Sequence, residues 1–240
     1  MDKPVITQFG SNGISIVWEE KIDANQHSYI LAFTAVLEER FKTTILETVT
    51  TYHSTVIFLK SSGNVLDLIC KIQEISALEF MTTESTNYHW LIPVCYDKKF
   101  GLDLEHISNE TGLSVEEIIR IHTATPYRIY FSGFLPGFLY LGGLDSKIHV
   151  ARKSTPRLNV SKGAVGIGGS QTGIYPKKCP GGWQILGQTP IDMFDISSKD
   201  LTSFKPGDSI QFESVEFDDF LRIEEEISLS KYQLKKSSHD

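Results

Sequence analysis

Twelve of the chain's 18 glycines crowd into the 55 residues from Gly133 to Gly187. Each glycine inside a helix costs about 1 kcal/mol relative to alanine, so a stretch this rich in glycine is expected to build short strands and tight turns. The same stretch holds seven bases, Lys147, Arg152, Lys153, Arg157, Lys162, Lys177 and Lys178, against one acid, Asp145. That local +6 lies in a chain of net charge −7, which leaves −13 for the remainder. Such a shift in composition marks a region with its own task.

Composition excludes several classes. With 240 residues, 40% hydrophobic and 22% charged, the chain is neither disordered nor fibrous. At this size it buries most of its apolar surface without a disulfide or metal staple. A pI near 5.5 argues against a nucleic-acid partner. Cys70, Cys95 and Cys179 are odd in number and widely spaced, which suits a reducing compartment. The N-terminal residues lack a signal-peptide pattern, and the longest apolar stretch, near Tyr29 to Leu37, is broken by Thr34. The expectation is a cytoplasmic protein without membrane contact.

The first ninety residues read differently from the glycine-rich region. Ile14, Ile16 and Trp18 alternate as in a strand. Asp23 can cap a helix carrying Ile30, Phe33, Leu37 and Phe41 on one face. Strand-like runs at Ile45 to Thr51 and Thr55 to Leu59 follow, then a helix with Val65, Ile69, Ile72 and Ile75, then a strand from Tyr88 to Cys95. The order β-α-β-β-α-β is that of a ferredoxin-like domain over residues 1–90. Two helices, Leu102 to Thr111 and Ser114 to His122, are predicted next, the second opened by the capping box Ser114-Val115-Glu116-Glu117. Short β-like runs at Arg128 to Phe131, Ala164 to Ile167, Trp183 to Leu186 and Ser209 to Phe212 predict a β-barrel over 91–240. An acidic tail from Glu213 reads as a solvated helix or packing arm, and the fold class is α+β.

Few motifs carry chemistry. Gly166 to Gly173 resembles a phosphate loop, but Ile174 and Tyr175 stand where Lys and Ser/Thr are needed, and Gln171 replaces the third glycine of a dinucleotide fingerprint. A strand entering a tight turn is preferred. Among the bases, Arg157 behind the stiff Pro156 is the best candidate for gripping a carboxylate or phosphate. Cys179 follows two lysines, which would lower a thiol pKa, but it has no visible base and reads as a bystander. His122 is read as a helix-end residue, and no metal-ligand spacing occurs. The catalytic residues are not identified.

The run Gly133-Phe134-Leu135-Pro136-Gly137-Phe138-Leu139-Tyr140-Leu141-Gly142-Gly143-Leu144 resembles the signature of the PxpB/KipI family, also labelled allophanate hydrolase subunit 1. Pro156-Arg157, Gln171 to Pro176, Pro180 to Trp183, Thr189-Pro190 and Pro206-Gly207-Asp208 extend the resemblance over nearly the whole chain. Ala151, Ser161, Cys179 and Gln188 depart from the usual pattern, the last by removing a positive charge. The resemblance implies an N-terminal ferredoxin-like domain and a C-terminal cyclophilin-like β-barrel. It implies the B component of an ATP-dependent 5-oxoprolinase, inactive alone and sharing ATP with an A-like and a C-like partner component of that enzyme. Alternatives within the resemblance are a KipI-type inhibitor of a sensor histidine kinase and a carboxyltransferase-related component.

The aromatic wall from Phe134 to Tyr140, the loop Gln171 to Tyr175 and the turn Pro180 to Trp183 are expected to converge on one groove. Rigid Gly/Pro loops hold polar groups where a ligand can approach, and ligand pockets are apolar with few placed polar groups. The expected substrate-binding residues are Phe134, Pro136, Tyr140, Arg157, Gln171, Thr172, Tyr175 and Trp183, with Arg157 as the directional contact.

Overall fold

A computed structural model describes residues 3–61, 64–77, 87–196 and 202–238. The chain divides into two compact units, Met1–Ser85 and Thr86–Asp240.

The first unit begins with a hairpin of β1 (Val5–Phe9) and β2 (Gly13–Val17). Helix α1 (Ala24–Arg40) follows, with Asp23 accepting the Gln26 N–H at 2.7 Å as the sequence predicts. Strands β3 (Ile45–Thr50) and β4 (Ser54–Leu59) and helix α2 (Val65–Ser76) complete it. The sheet order is β1-β2-β4-β3, all neighbours antiparallel. Ile14, Ile16, Ile30, Phe33, Leu37, Ile57 and Ile72 are fully buried and form the core. Each contributes about 1.5–3 kcal/mol by leaving water.

The second unit starts with β5 (Tyr88–Cys95), α3 (Leu104–Thr111) and α4 (Val115–Ala124). Gly112, left-handed at φ 72°, ends α3, and the Ser114 hydroxyl accepts the Glu117 N–H at 3.2 Å to start α4. Then come β6 (Tyr127–Ser132), β7 (Leu139–Gly142), β8 (Arg157–Val160), β9 (Ala164–Gly168), β10 (Gln171–Ile174), β11 (Cys179–Gly181), β12 (Gln184–Gln188) and β13 (Ser209–Val215). Helix α5 (Phe217–Ser228) and β14 (Lys236–Ser238) follow. The sheet runs β12-β9-β10-β7-β6-β13-β5, and Gln188 opposite Cys95 joins β12 back to β5, closing a seven-stranded barrel. The acidic tail is both things the sequence offered. Helix α5 buries Phe220 and Ile223 while exposing its acids, and β14 adds to the edge of β5.

One element moves from its expected place. Tyr88–Cys95 does not close the first sheet, whose order of elements is β-β-α-β-β-α. The position beside β2 is filled by β1, and β5 instead pairs in parallel with β13 from Ser209 opposite His89 to Val215 opposite Cys95. The unbroken apolar run Ile92-Pro93-Val94-Cys95 explains this, because a strand buried on both faces belongs inside a closed sheet. Pro93 fits because the Leu91 N–H two residues earlier bonds Lys235 O, so Pro93 turns its missing donor toward the same edge, beyond the reach of β14. Among the described residues no helix is long and apolar enough to cross a membrane.

Candidate functional site

The turn between β6 and β7 carries the aromatic wall. Gly133 N–H donates to Phe138 O at 3.0 Å and Phe138 N–H to Leu135 O at 2.9 Å, folding the segment tightly. Phe134 is left-handed at φ 64°, a backbone state that costs a bulky residue free energy, and its ring is 61% exposed. Behind it, Phe138 is buried and packs edge-on against Tyr175 at 5.2 Å and Trp183 at 5.4 Å, while Tyr140 stacks on Phe131 at 4.3 Å.

Strands β9 and β10 form a hairpin whose turn is Gly169-Ser170, with Gly169 at φ 64°. The glycine-rich segment is therefore a two-residue β-turn and not a phosphate loop. A methyl group added at Gly173 or Gly168 would sit 2.9 Å or 2.7 Å from the Trp183 ring, and one at Gly181 would strike the Tyr175 hydroxyl. These glycines let the indole and phenol lie flat against the backbone.

The result is a cavity of about 250 Å³ lined by Phe134, Phe138, Tyr140, Tyr175 and Trp183, with Gln171, Arg152, Pro156 and the 180–182 turn at its edges. Burial raises the pKa of the Tyr140 and Tyr175 hydroxyls, against the opposing pull of Arg152, so both stay protonated donors at neutral pH. Five of the eight residues expected from sequence meet here: Phe134, Tyr140, Gln171, Tyr175 and Trp183.

Three do not, each for a stated reason. Arg157 is held in a two-pronged ion pair with Asp103, Nη1 to Oδ2 at 2.7 Å and Nη2 to Oδ1 at 2.6 Å. Asp103 is only 4% exposed and also accepts the Ile185 N–H at 2.7 Å. Burial alone would raise its carboxyl pKa, but the Arg157 fork, the Ile185 N–H and Lys153 outweigh burial and hold it below the usual value. Thr172 points the other way along β10 and is fully buried. Its hydroxyl donates to Gly166 O at 3.1 Å and accepts from His122 Nε2 at 3.0 Å, leaving Nδ1 to accept from the Tyr96 hydroxyl at 2.7 Å. Pro136 lines a separate surface hollow at the β6–β7 turn and not the aromatic cavity.

The same network settles His122. Burial lowers its pKa to about 3, so it is a neutral core group stacked on Phe212 at 4.6 Å. Cys179 is likewise buried, and burial raises its thiol pKa against the weaker effect of Lys177. Neither group is poised for nucleophilic or acid/base work. Among the described residues no cluster of three or more His, Cys, Asp or Glu could hold a metal ion.

Residues 4–204 match the family described as carboxyltransferase domain, subdomain C and D. The B subunit of 5-oxoprolinase from Bacillus subtilis (strain 168) is 33% identical over 232 residues, 92% of this chain and 97% of the relative. The chain belongs to the 5-oxoprolinase B-subunit family. Among solved structures, the one described as TTHA0988 superposes at TM-score 0.72 with 29% identity over 85% of this chain. The match spans only 40% of that longer chain. Kluyveromyces lactis urea carboxylase superposes at TM-score 0.82 over 98% of this chain and 24% of its own, with 17% identity, which shows a shared fold.

For this member of the 5-oxoprolinase B-subunit family, sequence reasoning preferred Arg157 to Arg152 among the candidate bases and carried Phe138 only as part of the aromatic wall, yet both Arg152 and Phe138 line the cavity. Phe138 stands within the aromatic run and needed only its neighbours' positions. Arg152 lies five residues before Arg157 and carries no local mark of being unpaired. Among the described residues it makes no ion pair or hydrogen bond, which no single sequence reveals.

Proposed function

We propose that this chain is the B component of an ATP-dependent 5-oxoprolinase, working with A-like and C-like partner components to open 5-oxoproline to glutamate. The observation that carries the reading is the aromatic cavity with a single unpaired cation at its edge. A flat five-membered lactam presents two apolar faces to stacked rings and a carboxylate to a guanidinium. In this reading Phe138, Tyr140 and Trp183 hold the ring, Arg152 takes the carboxylate, and the Gln171 amide and the protonated Tyr175 hydroxyl face the polar edge of the lactam. Exclusion of water by the aromatic walls strengthens the Arg152 contact.

This reading gives the aromatic cavity to 5-oxoproline and not to the nucleotide. The segment that could have cradled a triphosphate is a β-turn, and no Walker-type lysine follows it. In this reading the nucleotide is shared with the partners, and this chain alone turns nothing over.

The test is 5-oxoproline-dependent ATP hydrolysis, measured with and without the two partners. Activity is expected only from the assembled complex. In that complex Trp183→Ala and Arg152→Ala raise the KM for 5-oxoproline at least ~10-fold, as expected from losing an aromatic wall or a charged contact of about 1.5–3 kcal/mol. Turnover by the chain alone, or a KM indifferent to both substitutions with assembly intact, sinks the proposal. Inhibition of a histidine kinase by a complex inert toward 5-oxoproline replaces it with the regulator.

A further inference from the structure

Arg152 lines both the aromatic cavity and a second, open hollow of about 470 Å³, between α3 and the loop 150–155 and bordered mainly by polar and charged residues. The loop is pinned at three points. Gly169 N–H donates to Val150 O at 2.9 Å, Gln184 Nε2 to Ala151 O at 3.0 Å, and Lys153 N–H to Gly182 O at 2.7 Å. Between and beyond these pins, Arg152, Ser154 and Thr155 line the cavity with no hydrogen-bond or ion-pair partner among the described residues.

The cavity therefore gathers a free guanidinium, two free hydroxyls and the Lys153 ammonium. The last is only loosely engaged, 3.5 Å from an Asp103 carboxylate already gripped by Arg157 at 2.6 Å. His106 and Glu110, one turn apart on α3, line the opposite wall, and Glu110 is the single acid among the lining residues. Several exposed donors carried on a loop whose backbone is pinned, with positive charge in excess, suit a compact anion carrying several acceptor oxygens. A carboxylate needs two such donors; a phosphate uses them all.

We propose that this polar cavity is a phosphate site of the chain, with Arg152 shared between it and the aromatic cavity. Its place in the reaction rests on the 5-oxoprolinase reading, in which ATP hydrolysis produces a phosphoryl group; the binding itself does not. Two sources have the same chemistry, released inorganic phosphate and a phosphoryl group on a phosphorylated carboxylate. Arg152 would link either to the ring next door.

Calorimetric titration of the full chain with inorganic phosphate, at low ionic strength and without partners, tests the site directly. Saturable one-to-one binding is expected, with a Kd on the order of 1 mM. Arg152→Ala should weaken it at least ~10-fold, the loss of one charge-assisted contact. A second variant, Ser154→Ala with Thr155→Ala, should weaken it ~3–10-fold, and Glu110→Gln should tighten it ~2–3-fold by removing a repelling charge. Melting curves confirm that each variant is folded. Competition with acetyl phosphate separates the sources: displacement assigns the phosphorylated substrate, and its failure assigns the released ion. No saturable binding, or binding that the Arg152 and Ser154/Thr155 variants leave unchanged, overturns the site. Phosphate binding that survives while 5-oxoproline turnover by the complex fails would instead sink the 5-oxoprolinase reading alone.

Discussion

Arg157 and Arg152 stand on the same side of the barrel sequence, five residues apart, with opposite fates. The Arg157 region is a closed clamp, in which a buried carboxylate, a guanidinium fork and the Ile185 N–H satisfy one another. The Arg152 region is open, with an exposed Arg152 that lines both the aromatic cavity and the hollow that Ser154 and Thr155 also line. A clamped charge fixes strands in place, and removing its partner leaves a buried charge exposed to a low dielectric. An open charge is available to a ligand, and removing it should leave the fold intact. The two kinds of site call for opposite readouts.

The largest effect is expected at the clamp. Arg157→Ala leaves Asp103 buried without its main partner and should destabilise the second unit by about 3–5 kcal/mol in urea unfolding. A loss below about 1 kcal/mol would mean the pair is solvated and the contrast with Arg152 is false. Acid should act on the same carboxylate: its folded pKa is depressed, so its contribution is whole above about pH 4 and fades as the pH falls further.

The buried imidazole gives the next effect. His122 stays neutral in the folded protein down to about pH 3, while the unfolded chain takes up that proton below about 6.5. Between these values the unfolded state binds more protons, so stability falls as the pH is lowered, by about 1.4 kcal/mol per unit from this residue. Replacing His122 by Gln should flatten that slope in urea titrations at pH 6 and pH 4.5. An unchanged slope would place the proton uptake elsewhere.

At the cavity the effects are smaller on stability and larger on binding. Gly181→Ala drives a methyl group into the Tyr175 hydroxyl and should cost about 1–3 kcal/mol through overpacking, read from the melting temperature. Arg152→Ala should shift stability by less than about 0.5 kcal/mol, as surface substitutions do. Phe134→Gly relieves the left-handed backbone while surrendering chain entropy, so its stability should move by no more than about 0.5–1 kcal/mol. A marked melting-temperature loss in either of these last two would mean that the open region is structural after all.

The contrast also explains what the sequence could and could not disclose. Asp23 and Ser114 announced their caps because each cap and the N–H it accepts lie three residues apart. The core faces of α1 and α2 followed from periodicity for the same reason. The aromatic cavity was legible because Phe134, Tyr140, Gln171, Tyr175 and Trp183 sit in segments too rich in Gly, Pro and aromatics to be ordinary surface. The pairing of Arg157 was hidden because Asp103 lies 54 residues upstream. Thr172 was misjudged because a strand alternates its faces, so a neighbour of Gln171 on β10 must point away from it. The fate of Tyr88–Cys95 depended on which of two sheets had a vacant edge, and β1 had already filled the first.

That parallel pairing of β5 with β13 has a kinetic consequence. The two strands meet across 120 residues, and β14 joins β5 from still later in the chain. A nascent chain therefore carries β5 as an unpaired apolar edge while all of β6 to β12 is made, at roughly 5–20 residues per second. The first unit draws on no strand beyond its own residues and can form early. The barrel is bound to form late, and during synthesis it is β5 that most needs shielding from other chains.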